Sequence, residues 1–169
     1  MYQLNDLYPE DKKECYKLLQ SQLKALLEGE TNVIPNLSNT SALLNDGLNN
    51  INWVGFYFIC KEELLLGPFQ GKPACIHIPI GKGVCGTAFF CNKTLIVKDV
   101  HAFSGHIACD SASKSEIVLP LHDHHGKVIG VLDIDSPIIK RFDETDKEGL
   151  EEIVRILENG TNLTDFKIG

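Results

Sequence analysis

The 169-residue chain contains no run approaching the roughly 20 apolar residues of a membrane-crossing helix. Its opening residues, Met1-Tyr2-Gln3-Leu4-Asn5-Asp6, place no basic segment ahead of an apolar one. Neither a span nor a secretory leader is expected, and the chain reads as cytoplasmic. Positive charge is also in short supply: 16 Lys and Arg stand against 23 Asp and Glu, a net charge of -7. That balance argues against a nucleic-acid partner, which would want a basic face. Six cysteines are present, but none form a Cys-x-x-Cys pair, which weighs against a structural zinc site. In a reducing compartment a static disulfide framework is not expected either. There is no internal repeat and no low-complexity segment. What remains has ordinary globular composition, 43% hydrophobic and 23% charged. A chain of this length fits one domain, or one domain with short extensions, and can bury roughly 70% of its unfolded surface without needing disulfides or metal.

Leu18, Leu19, Leu23, Leu26 and Leu27 recur at helical spacing and predict an amphipathic helix within residues 8–28. A second helix is predicted over 31–48, broken near Pro35 and ended by the Asn- and Gly-rich stretch from Asn45 to Asn50. Trp53 to Cys60 reads as a strand entering a hairpin with Leu64-Leu65-Leu66. Short elements follow: a strand at 75–79, a turn at Gly81-Lys82-Gly83, a helix at 84–91 and a strand at 95–97. Residues 99–113 show no periodicity, and a long loop inside a compact domain tends to carry function. Two strands, 116–122 and 127–135, flank a turn at 123–126. A last helix spans 144–158, capped by Asp143 or Thr145, and residues 159–169 read as a frayed tail. Helices, then strands, then a closing helix indicate an α+β fold with an antiparallel sheet.

The last hairpin brings acids together. Closing it with a two- or four-residue loop places Glu116 opposite Asp133, with Asp135 on the same face because side chains alternate along a strand. Ile117, Leu119, Leu121, Leu132 and Ile134 fill one face, and Val118, Ile129 and Val131 the other, so the sheet is covered on both sides. Facing acids are unfavourable. Either they sit at a solvated end, or they line a pocket in which one carboxyl keeps a proton because its neighbours are charged. Such a group donates a proton at neutral pH while the others hold an ammonium group. Trp53 and Tyr57 share a face, with Gly55 leaving room between them. They form either plain core or the aromatic wall of a small-ligand site.

Among the cysteines, Cys15, Cys60 and Cys91 lie in apolar or helical contexts and read as inert. Cys75, Cys85 and Cys109 sit beside glycines in turn-rich stretches, Cys109 within the long loop. His101 and His106 share that loop and could lower the pKa of Cys109. His122, His124 and His125 at a hairpin tip have no preset ligand geometry, and a solvated turn explains them. Gly81-Lys82-Gly83 ahead of a helix is a weak anion motif.

These residues resemble a known family. Asn52-Trp53-Val54-Gly55-Phe56-Tyr57, Gly67-Pro68-Phe69-Gln70-Gly71, Pro73-Ala74-Cys75 and Ile80-Gly81-Lys82-Gly83-Val84-Cys85-Gly86 are similar to segments of the free methionine-(R)-sulfoxide reductases, which are stand-alone GAF domains. So are Gly105-His106-Ile107-Ala108-Cys109-Asp110, Ser115-Glu116-Ile117-Val118 and Gly130-Val131-Leu132-Asp133-Ile134-Asp135. The match runs from about Asn36 to Leu157. The resemblance implies a single GAF domain over 1–158, including the N-terminal helices, with 159–169 as a C-terminal tail. It implies Cys109 as attacking sulfur, Cys75 as resolving partner, and a secondary role for Cys85. Glu116, Asp133 and Asp135 would bind substrate and supply the proton, and Trp53 and Tyr57 would form the wall. No cofactor and no metal are implied. The reaction would draw on thioredoxin and NADPH as external reductants, with the state of assembly, monomer or homodimer, left open. GAF folds also serve as ligand sensors. The alternative function is therefore a non-catalytic small-ligand or redox sensor, and a zinc site on Cys75, Cys85 and Cys109 is a weaker third.

Overall fold

The computed structural model describes residues 7–105, 111–164 and 166–169. The elements run α1 (Lys12–Leu27), α2 (Val33–Gly47), β1 (Trp53–Cys60), β2 (Glu63–Gly71), β3 (His77–Pro79), α3 (Gly83–Cys91), β4 (Leu95–Val97), β5 (Ser115–His122), β6 (Val128–Ser136) and α4 (Glu144–Gly160). A 3-10 turn at Val100–Ala102 interrupts the stretch expected to be irregular. The strands form one sheet in the order β3-β2-β1-β6-β5-β4, each neighbouring pair antiparallel. This is the expected α+β architecture.

Local chemistry sets the helix ends. Asp11 caps α1 by accepting the Glu14 N–H at 3.0 Å. Asp143 caps α4 in a reciprocal box with Asp146. The break predicted near Pro35 does not occur. Pro35 falls in the first turn of α2, where a missing N–H removes no intrahelical bond, and the helix runs unbroken to Gly47.

The sheet is apolar on both faces. On one side Val54, Phe56, Phe58, Ile117, Leu119, Leu132 and Ile134 pack with the buried stripes of α1, α2 and α4. On the other, Trp53, Tyr57, Val118 and Val131 pack with Val84, Cys85 and Ala88 of α3 and with Val100. The described residues after α4 are not frayed. Leu163 is buried, and the Phe166 ring meets Phe58 edge-on at 5.0 Å, extending the three-helix core. Among the described residues no helix is long and apolar enough to cross a membrane.

The β5–β6 register departs from expectation in an instructive way. Glu116 pairs with Asp135, and Asp133 with Val118. One extra residue enters at the tip, where the Asp123 N–H reaches the Lys127 carbonyl at 2.9 Å and Gly126 adopts φ +77°. Another enters at a bulge, because His122 pairs with Val128 but Leu121 with Gly130. Each offset flips the faces, so two restore them. The three acids keep their common face while direct opposition moves from Asp133 to Asp135. The bulged Ile129 turns into the three-helix core rather than joining Val118 and Val131.

A buried ionic knot ties the helices together. The Asp146 side chain is fully buried and accepts hydrogen bonds from Lys12 Nζ at 2.5 Å and from Tyr16 Oη and Arg141 Nη1 at 2.9 Å each. Asp146→Ala would leave the Arg141 cation, itself only 12% exposed, without its carboxylate. The expected loss is about 3–5 kcal/mol, read as a lower urea midpoint at unchanged slope. A loss below about 1 kcal/mol would show the knot to be dispensable.

Candidate active site

Two strands, β5 and β6, deliver the acids to one patch. In the β1–β6 ladder Gly55 faces Asp133 and Trp53 faces Asp135, while across β5 Glu116 faces both Asp135 and Val97. Helix α3 lies over this patch and carries Cys85 in its first turn. It is held close by a bare backbone: the Gly81 N–H donates to the Gly86 carbonyl at 2.9 Å, and a Cβ on Gly86 would stand 2.4 Å from the Pro79 carbonyl oxygen. The Cys85 thiol donates to Glu116 Oε1 at 3.9 Å, and one ligand atom each from Cys85, Glu116 and Asp133 lie within 4.8 Å of one another. Glu116 and Asp133 are each 6% exposed and Cys85 4%, whereas Asp135 is half-buried. Cys85 is thus a sealed helical thiol rather than an accessible turn residue.

Burial governs the electrostatics. It raises the Glu116 carboxyl well above the usual range, with the charges of Asp133 and Asp135 adding to the effect. It pushes Asp133 up to about 6, against the lowering effect of hydrogen bonds with Cys85 and Glu116. The Cys85 thiol rises too, first through burial and then through the Asp133 and Glu116 charges, so it stays a neutral donor. A retained proton was expected from like-charge repulsion; desolvation is the larger cause. Asp133 Oδ1 is buried without a hydrogen-bond partner among the described residues, leaving an acceptor facing no donor. The patch therefore combines a stored proton with an open carboxylate oxygen. It can protonate a leaving oxygen and pair with an ammonium group. Cys85, Glu116 and Asp133 could also offer three ligand atoms to a cation. Cys75 is disulfide-bonded in this state, so it offers no thiolate to a zinc set with Cys85 and Cys109.

The aromatic pair does share a face, with ring centroids 5.9 Å apart. The space over Gly55 is not vacant: a Cβ there would stand 2.3 Å from Phe69 Cβ and 2.6 Å from the Trp53 ring. Phe69, the β2 partner of Gly55, stacks on Trp53 at 5.3 Å. Sequence reasoning did not assign Phe69 to the wall. The available signal was a glycine in β1 with a phenylalanine in the partner strand. Both polar tips reach the 72–76 segment: Trp53 Nε1 donates to the Lys72 carbonyl at 3.1 Å and Tyr57 Oη to the Cys75 carbonyl at 2.9 Å.

Cys75 is half-buried. Cys109 and His106 lie outside the described residues. The stretches around them are anchored beside the acids: Val100 N–H donates to the Lys114 carbonyl at 3.0 Å, Lys114 N–H to the Ser136 carbonyl at 2.7 Å, and Asn52 Nδ2 to Ser113 Oγ at 3.1 Å. Cys15 is buried, as expected of an inert thiol, and Cys60 is half-buried. Cys91 is exposed, because it ends α3 just before Asn92 turns left-handed at φ 49°. His101 is exposed, and His124 and His125 project from the hairpin tip. His122 sits between Glu158 Oε1 at 3.0 Å and Asn92 Oδ1 at 2.8 Å, away from the acid patch.

Residues 15–160 match the GAF domain model. The chain is 52% identical over 157 residues to the free methionine-R-sulfoxide reductase of Escherichia coli, covering 93% of this chain and 94% of that one. The structure of fRMsr of Staphylococcus aureus in its reduced form is similar, with 61% identity, a TM-score of 0.83, and coverage of 86% of this chain and 94% of that one. So is that of the free methionine-R-sulfoxide reductase from Neisseria meningitidis in complex with its substrate, with 45% identity, a TM-score of 0.86, and coverage of 90% and 91%. With the fold, the acid patch and these likenesses together, the chain belongs to the GAF domain family and, within it, to the free methionine-R-sulfoxide reductases.

Proposed function

We propose that this chain is a cytoplasmic enzyme that reduces free L-methionine-(R)-sulfoxide to methionine. The observation that carries the proposal is the buried Glu116–Asp133 pair under an aromatic wall, with Asp133 Oδ1 lacking a hydrogen-bond partner among the described residues and burial raising both carboxyl pKa values. The names of relatives such as the Escherichia coli enzyme support it.

The Cys109 thiolate attacks the sulfoxide sulfur. An acid of the coupled Glu116, Asp133 and Asp135 set protonates the sulfoxide oxygen, which would otherwise leave poorly. Methionine departs, and the oxygen ends on Cys109 as a sulfenic acid. Cys75 condenses with it, giving a disulfide and water. Thioredoxin, kept reduced by NADPH, restores both thiols by exchange. Cys85 serves as the neutral donor that holds Glu116. Trp53, Tyr57 and Phe69 take the apolar arm of the substrate. The carboxylates account for selectivity: a free amino acid brings an ammonium to pair with them, whereas a peptide-bound residue brings a neutral amide and would leave that charge unpaired, at about 2–5 kcal/mol.

Thioredoxin-coupled NADPH oxidation with each epimer tests this. Turnover with the R epimer alone is expected; no turnover with either would favour a ligand sensor. Cys75→Ser should release about one equivalent of methionine and then stall, because the sulfenic acid has lost its partner. Sustained thioredoxin-linked turnover by that variant would reassign the resolving thiol.

A further inference from the structure

The segment that carries Cys75 has no regular secondary structure between β2 and β3, yet its backbone is held at three points. Trp53 Nε1 donates to the Lys72 carbonyl at 3.1 Å, Tyr57 Oη to the Cys75 carbonyl at 2.9 Å, and the Leu66 N–H to the Ile76 carbonyl at 2.9 Å. Cys75 is disulfide-bonded in this state, and among the three hydrogen bonds the one on its own backbone comes from Tyr57, beside the acid patch. Tyr57 pairs with Val131 in β6, two residues from Asp133. Its side chain is 1% exposed, and burial with the nearby Asp133 charge keeps the phenol neutral. A phenol has one proton to donate, and here it goes to the Cys75 backbone.

We infer that Tyr57 is a positioning residue for recycling: its hydroxyl holds the Cys75 backbone so that the resolving thiol meets the sulfenic acid of Cys109. The inference rests on the reductase reading above. The step it assists is balanced without a further reagent. The Cys75 sulfur attacks the sulfenic sulfur of Cys109, an S–S bond forms as the S–O bond breaks, and the oxygen departs with two protons as water. Without the tie, a short irregular segment samples positions from which that attack fails, and correct placement is where an intramolecular step gains most of its rate.

Tyr57→Phe keeps the ring and removes only the hydroxyl. In single-turnover experiments with free methionine-R-sulfoxide, methionine release and disulfide formation are followed separately by quenched-flow and thiol counting. The ratio of disulfide formation to methionine release should fall about tenfold, the weight of one well-made hydrogen bond. Sulfenic acid should accumulate and be trapped by dimedone. Trp53→Phe, which loosens the same segment three residues from Cys75, should show a smaller shift in the same ratio. An unchanged ratio in Tyr57→Phe, whether both steps slow together or neither does, would overturn the inference while leaving the reductase assignment intact. No methionine from the wild-type protein would remove both.

Discussion

Cys109→Ser is expected to lower methionine formation from free methionine-R-sulfoxide by at least about a thousandfold, in the first turnover as well as at steady state. Two consequences of the substitution act together. A serine hydroxyl is almost wholly protonated at neutral pH and is a far weaker nucleophile than a thiolate. An oxygen in place of sulfur also cannot accept the transferred oxygen as a sulfenic acid, so the step has no product to reach. The acids and the aromatic wall do not depend on position 109, so the variant should still bind free methionine with affinity near that of the wild type. Calorimetric titration with methionine separates the two quantities. The contrast with Cys75→Ser, which keeps a single turnover, distinguishes an attacking from a resolving thiol. Full turnover by Cys109→Ser would end the assignment of the nucleophile.

The second large effect concerns Asp133. Its carboxyl lies near 6, above the ordinary 3.8, because it is buried. The native state therefore holds this proton more tightly than the unfolded chain does. The associated stability is complete below about pH 4 and is lost as pH rises through 6. Asp133→Asn keeps the shape and removes the charge. Its stability relative to wild type should climb by a few kcal/mol between pH 4 and 7 and level off above. Reading the difference between the two proteins cancels the opposite pH dependence of groups such as Asp143, which is held near 2 mainly by Lys12 and the Asp146 backbone against its own burial. Activity should move the other way, falling roughly 10²-fold or more, because the ammonium of the substrate loses its partner and the acid set loses a member. Thermal melts across pH and steady-state kinetics on the same preparations check both arms. A stability difference that stays flat from pH 4 to 7 would show that the Asp133 carboxyl is not held near 6.

Much of this arrangement is legible in the residues, and the reasons are physical. Period-two alternation in 116–122 and 127–135 gave strands, shared faces and a double-sided core, since alternation survives any register of the same parity. The pairing partners were harder to read, because they depend on the number of residues in the tip and on a bulge at Ile129 that no local propensity announces. Pro35 looked like a breaker because its place in the helix was not known; three residues earlier or later the same proline means something different. Burial is the property least legible in the residues. Cys91 and Cys85 both lie in α3, but only the three-dimensional packing shows that one faces solvent and the other faces two acids. The leading cause of the raised carboxyl pKa values is hidden for the same reason: charge can be counted along a chain, and desolvation cannot. Residues 159–169 show no periodicity that would mark them as more than a frayed tail, yet Leu163 and Phe166 find a place in the core.

The paired offsets in the last hairpin carry an evolutionary implication. A single insertion or deletion at the tip would rotate Asp133 and Asp135 into the three-helix core and bring Ile134 out to meet the substrate, a change few folds survive. Homologous chains should therefore vary this turn in steps of two, or alter it by one only when the bulge is gained or lost in compensation.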